Sequence, residues 1–138
     1  MDEIALMREI ARLQNQIDAL RTIEIGGVWT AYTPTITALS GTFTTVSATG
    51  YYSKIAKVVP MQIAVTITTN GTAAGVVIAT LPFATNNVTL LTGRENAVTG
   101  KMLQGLAFNS QINIYNYDGS YPGGDGHIFY LSGFISIA

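Results

Sequence analysis

A chain of 138 residues with a net charge of −1, no cysteine and one histidine rules out several kinds of chemistry at once. Disulfides, thiolate metal sites and cysteine nucleophiles are impossible, and no basic stripe is present to hold a phosphate backbone. No apolar run approaches the roughly 20 residues of a membrane-spanning helix, so neither nucleic acid nor a membrane is expected as a partner.

The first element is an amphipathic helix. In "MREIARLQNQIDALR" and the residues just before it, Leu6, Ile10, Leu13, Ile17 and Leu20 step by 4, 3, 4 and 3. That is a heptad seam, with Ile10 and Ile17 at a and Leu6, Leu13 and Leu20 at d. Ile4 and Met7 widen the apolar face near the start, and the next a position falls on Glu24, so the seam ends near Arg21. Acidic Asp2 and Glu3 and the alternation of charge with apolar residues do not read as a secretory signal. A single helix packed on a globular core usually carries a broader apolar stripe than this, so self-association is the expectation. Under three heptads cannot hold an oligomer firmly by themselves, so the remainder of the chain must associate too. The seam leaves the number of strands open, with Ile at a and Leu at d leaning towards two. Gly26-Gly27 supplies a stop and a joint. The expected organisation is a coiled-coil helix over 1–25, a Gly hinge over 26–28 and a β domain over 29–138.

Charge divides along the same line. Residues 1–25 hold eight of the fifteen charged residues, and the β region holds only Lys54, Lys57, Arg94, Glu95, Lys101, Asp118 and Asp125. Overall the chain is 11% charged, against about 25% in an ordinary domain. A surface of Thr, Ser, Asn, Gly and Ala implies that part of it is covered by other copies of the chain.

Strands follow one another from Trp29. "TPTITAL", "GTFTTVS" and "GYYSKIAKVVP" lead into "MQIAVTIT", where Ile63, Val65 and Ile67 share one face and Gln62, Ala64, Thr66 and Thr68 the other. Asn70-Gly71-Thr72 marks a turn. "GVVIATLPF" reads as a strand buried on both faces and closed by Pro82. "NVTLLTG" and "QINIYNYDG" come next, the latter with Ile112 and Ile114 on one face. "HIFYLSGFISIA" puts Phe129, Leu131, Ile135 and Ile137 on one side and Ile128, Tyr130 and Phe134 on the other. About eight strands without intervening helices predict an all-β, antiparallel β-sandwich, jelly-roll-like in architecture.

Catalytic constellations are sparse. His127 lacks the further ligands or partners that a zinc or nucleophilic site needs, and its simplest role is to begin a strand. Asp118 and Asp125 could be paired as a glycosidase dyad, but Asp beside Gly is ordinary turn chemistry. The loops "NYDGS" and "GGDG" are too short and too poor in acids for calcium. Glycosylation patterns at Asn70 and Asn87 have no sign of secretion beside them. The chain is therefore expected to be no enzyme, with no cofactor and no metal. Arg94, Glu95 and Lys101 concentrate charge in one segment and read as buried or interfacial ion pairs, with ligand recognition as the alternative. Tyr115, Tyr117, Asp118, Tyr121, Asp125 and His127 fall within thirteen residues around a Gly/Pro loop. Rings and short polar side chains are what a glycan site uses, although aromatics in a turn also pack locally.

"WTAYTPTITALSGTFTTVSATGYYSKIAK", "MQIAVTITTNGTAAGVVIATLPF", "GRENAVTGKMLQG" and "YNYDGSYPGGDGHIFYLSGF" together resemble the distal domain of bacteriophage tail fibres and related phage fibre proteins. The resemblance covers about residues 29–138 and rests on segment order rather than on catalytic residues. It implies a β-sandwich knob behind a short coiled coil, three chains in parallel, a place on the virion and contact with a host-surface polysaccharide. A homotrimer would replace the two-strand leaning of the seam. The long shaft and large docking domain of a full tail fibre are missing, so a short fibre, a head fibre, a decoration protein or a tip subunit all fit. The helix at residues 3–21 would then also attach to a baseplate, tail or capsid protein.

Overall fold

The computed structural model describes residues 2–24 and 28–138, and the side chains of residues 21–24 are not among those described. Helix α1 runs Glu3–Glu24. Asp2 caps it, its Oδ1 accepting from the Ala5 backbone N–H at 2.6 Å, and Arg12 pairs with Glu9 one turn earlier. The seam residues Leu6, Ile10, Leu13, Ile17 and Leu20 are 46–58% exposed, so within one chain the helix does not bury its apolar face on the β domain. The expected Gly26-Gly27 joint lies outside the described residues.

Nine strands follow: β1 (Thr30–Tyr32), β2 (Ile36–Ser40), β3 (Thr45–Tyr52), β4 (Val58–Thr69), β5 (Ala74–Thr80), β6 (Thr89–Glu95), β7 (Met102–Phe108), β8 (Gln111–Asn116) and β9 (His127–Ser136). The domain is all-β and antiparallel throughout. Its ladder is one continuous sheet in the order β1-β3-β4-β9-β6-β7-β8-β5-β2. The sheet rolls around a single core until its margins meet. The Tyr32 hydroxyl donates to the Thr80 carbonyl at 3.3 Å, and the Thr35 N–H to Thr80 Oγ1 at 2.8 Å. Thr72 N–H reaches across to the Thr42 carbonyl.

Alternation decides which side chains fill the roll. Val59, Met61, Ile63, Val65 and Ile67 of β4 are buried, as are Phe129, Leu131 and Ile135 of β9 and Ile112 and Ile114 of β8. Small residues let the sheet curl this tightly. A Cβ at Gly93 would stand 2.0 Å from the Tyr130 carbonyl oxygen, and one at Gly133 3.0 Å from Leu91 Cγ, so these glycines make room for close strand and leucine packing. Asn109 takes φ +51° in the two-residue β7–β8 hairpin turn, a conformation that asparagine tolerates better than most residues.

Strand β5 meets the expectation of burial on both faces in part, since the neighbours Val76 and Val77 point to opposite faces and both are buried. Val76, Val77 and Ala79 are buried, Ile78 is half-buried, and the strand stops at Thr80, before Pro82. Strand β7 was not legible as a strand, because its inward row is Leu103, Gly105 and Ala107. Two of those three are too small to mark an apolar alternation.

Candidate functional site

Strand direction sorts the connections into two ends. The chain enters β1 at Thr30, which pairs with Tyr52, the last residue of β3. The loops β2–β3, β4–β5, β6–β7 and β8–β9 gather at the other end, where Thr45 pairs with Thr69 and His127 with Ile67. Asn87 lies in the β5–β6 connection at the first end, whereas the candidate glycan-contact residues of the loops lie at the second.

Most of them hold the loops together. Asp125 Oδ1 accepts from the Asn70 N–H at 2.7 Å, and the Tyr121 hydroxyl donates to Asn70 Oδ1 at 2.6 Å. Burial pushes the Tyr121 hydroxyl pKa up, and the bond to Asn70 opposes this only in part. His127 begins β9, is buried, and sits with Nδ1 2.8 Å from the Pro122 carbonyl oxygen. Since that oxygen can only accept, Nδ1 carries the proton. Asn116 Nδ2 donates to Ser120 Oγ and to the Tyr121 carbonyl. Asp118 closes its own turn by accepting from the Ser120 hydroxyl at 2.5 Å and the Ser120 N–H at 3.0 Å, and these bonds, with the charge of Lys101, hold its carboxyl below the usual range. The cluster thus divides. Tyr121 and Asp125 fasten the β8–β9 loop to the β4–β5 turn and His127 closes that loop on Pro122, while Tyr117 is exposed and Tyr115 lies half-buried on the outer face of β8.

Glu95 is the main departure from expectation at this end. Instead of an ion pair with Arg94 or Lys101, its fully buried carboxylate accepts from the backbone N–H groups of Ala97, Val98, Thr99, Gly100 and Ile128 and from the Thr99 hydroxyl. Neighbours on a strand point to opposite faces, so Glu95 turns inward as Arg94 turns out. Burial alone would raise the carboxyl pKa, but the converging N–H groups outweigh it and hold the group well below the ordinary carboxylate range. Enclosed in this way, Glu95 cannot meet a partner subunit. Its carboxylate shapes the β6–β7 loop and ties it to the start of β9.

A second feature lies on the outer face of β3, β4, β9, β6 and β7: an open groove of about 550 Å³. Sheet register explains it. One cross-strand row reads Thr49, Ala64, Tyr130, Arg94, Met102, and the next reads Tyr51, Gln62, Ser132, Thr92, Gln104. Small residues at Ala64, Ser132 and Thr92 form a floor, and Tyr51, Tyr130 and Met102, each about half exposed, stand above it. A third row places Phe134 opposite Leu90 by the same register, with Leu106 beyond. Phe134 is 55% and Leu90 66% exposed, which makes this an apolar strip towards the end where β1 begins. The sequence flagged β9 as apolar on both sides. The groove itself was out of reach, because it needs a register among five strands and one of those strands was not legible.

Among the described residues no group of three or more His, Asp and Glu is placed to hold a metal ion, and no helix is long and apolar enough to cross a membrane. Comparison with family models, curated proteins and solved structures finds no match.

Proposed function

We propose that the chain is a non-enzymatic, homotrimeric fibre or knob protein of a bacteriophage virion that presents its β domain to a host-surface glycan. The observation that carries this reading is the unburied Ile/Leu seam of α1, which leaves a row of five large apolar side chains in water unless another chain covers it. In this reading three helices run in parallel as a short coiled coil. Three sandwich-like, jelly-roll-like knobs meet through the Phe134, Leu90 and Leu106 strip, and the helix end docks on a baseplate, tail or capsid protein. The resemblance to phage fibre domains supports the choice of three chains and of the virion. The placement of β1 supports the polarity, since the loop end lies away from where the chain enters the sheet. Three sites on one rigid body would give avidity that a single contact lacks.

Solution mass tests the shared premise. The full chain is expected to weigh three times its monomer mass, and Leu13→Asp, which puts a charge into the middle of the seam, is expected to shift the population to single chains at micromolar concentration. A full chain that stays monomeric at high concentration would sink the reading.

A second reading has its own support. Tyr121, Asp125 and His127 are spent on fastening loops rather than offered to solvent, which suits a purely structural head-fibre or decoration protein without a ligand. Binding of trimeric protein to host cells separates the two. A depolymerase built on Asp118 and Asp125 is the weakest reading, since both carboxylates are engaged in turns.

A further inference from the structure

We propose that the outer groove over β3, β4, β9, β6 and β7 binds an acidic polysaccharide and that Arg94 receives the carboxylate of a uronic-acid residue. The inference rests on the glycan-binding reading above and moves the site from the loops to the sheet. Arg94 is the one charged side chain that lines the groove. It is exposed and has no hydrogen bond or ion pair among the described residues. Its cross-strand neighbour is Tyr130, so a guanidinium fork and an aromatic face stand side by side above a floor of Ser132, Thr92 and Gln62. Sugar CH faces stack on half-exposed rings, hydroxyls pair with short hydroxyl and amide side chains, and a guanidinium takes a carboxylate in two parallel bonds. An open groove suits a chain passing along it better than an enclosed small molecule.

Two other occupants fit less well. Nucleic acid would need several cations to replace its counterions, and the groove offers one. The β domain of a second copy would have to bury Arg94 against an acid of its own. The three acids of the β domain are Glu95, which is fully buried, and Asp118 and Asp125, which are hydrogen-bonded within their loops.

The test titrates the full-length protein with tetrasaccharides of glucuronate, galacturonate and mannuronate, and with the same compounds methyl-esterified to remove the charge. The expected result is saturable binding of at least one acidic form, weakened about tenfold to a hundredfold by esterification or by Arg94→Gln, the range for loss of a charge-assisted pair. Arg94→Lys recovers part of the loss, and esterification adds little further loss once Arg94 is replaced. Equal binding of the charged and esterified forms, binding of neither, or a change of solution mass in Arg94→Gln would overturn the proposal. Host-cell adhesion separates the two levels. If the wild type adheres and Arg94→Gln adheres equally well, the groove is wrong and the adhesin reading stands. If the wild type does not adhere, the adhesin reading fails with it.

Discussion

The helix and the β domain treat their apolar side chains in opposite ways. In the β domain the inward rows of β4, β8 and β9 are closed off almost completely within one chain. In α1 a seam of similar residues stands half in water. Charge follows the same contrast: it is abundant on the helix, where it keeps an unburied segment soluble, and scarce on the β domain. The β domain is therefore finished by its own chain, whereas the helix leaves its seam uncovered, to be completed by other chains in the proposed trimer. The comparison can be broken or sharpened by perturbing each region and asking whether the effect stays where it was made.

Glu95 is where the largest effect is expected. Replacing it with Ala leaves four backbone N–H groups of the β6–β7 loop, and that of Ile128 in β9, without their acceptor. Hydrogen bonds to a charged group are worth about 1.5–3 kcal/mol each, so losing the set is expected to cost at least about 3 kcal/mol, read as a fall in the urea midpoint. The pH dependence follows from the same geometry. The folded protein holds this carboxyl below its unfolded value, so its contribution is complete above the ordinary carboxylate range near about pH 4.3. It is lost as pH falls through the lower folded value. The gap in stability between wild type and Glu95→Gln should be constant from pH 7 to 5 and narrow below about pH 4. A gap that stays flat into acid would show that the charge is not what holds the loop.

Asp125 should matter less. Its Oδ1 accepts one backbone N–H, from Asn70, 55 residues away. Asp125→Ala is expected to cost about 1–2 kcal/mol. It should also raise amide hydrogen exchange at Asn70 and in the β8–β9 loop, leaving the β4 and β9 core amides protected. Exchange that rises everywhere would mean that the loop network is part of the core rather than an attachment to it.

These two residues also mark where sequence reading stops. The alternation of β4, β8 and β9 was legible because Ile63, Val65, Ile67, Ile112, Ile114 and Phe129 are large and strictly spaced, and a period of two has one solution on a sheet with one buried face. Strand β7 was hidden by Gly105 and Ala107; a Cβ at Gly105 would stand 2.9 Å from Ile112 Cγ2 and 3.1 Å from Leu131 Cδ2, so large residues of β8 and β9 take the room there. Asp125 and His127 were visible as chemistry, but their partners, Asn70 and the Pro122 carbonyl, are set by tertiary placement. Arg94 beside Glu95 looked like a pair, when the alternation that revealed the strands also sends the two side chains to opposite faces. That rule had been applied to apolar residues and was equally available for the charged ones.

The smallest effect should come from the helix, and it is the sharpest test of the contrast. Because α1 does not bury its seam on the β domain within one chain, Leu13→Asp has no side chain in the core to disturb. At concentrations low enough that wild type is also dissociated, the two proteins should unfold within about 0.5 kcal/mol of each other, the range of ordinary surface substitutions. At high concentration they should diverge, because wild-type assembly adds stability by mass action and the variant gains none. A variant that is less stable even at high dilution would show that the seam packs on its own β domain. The unburied helix, and the assembly inferred from it, would then both be wrong.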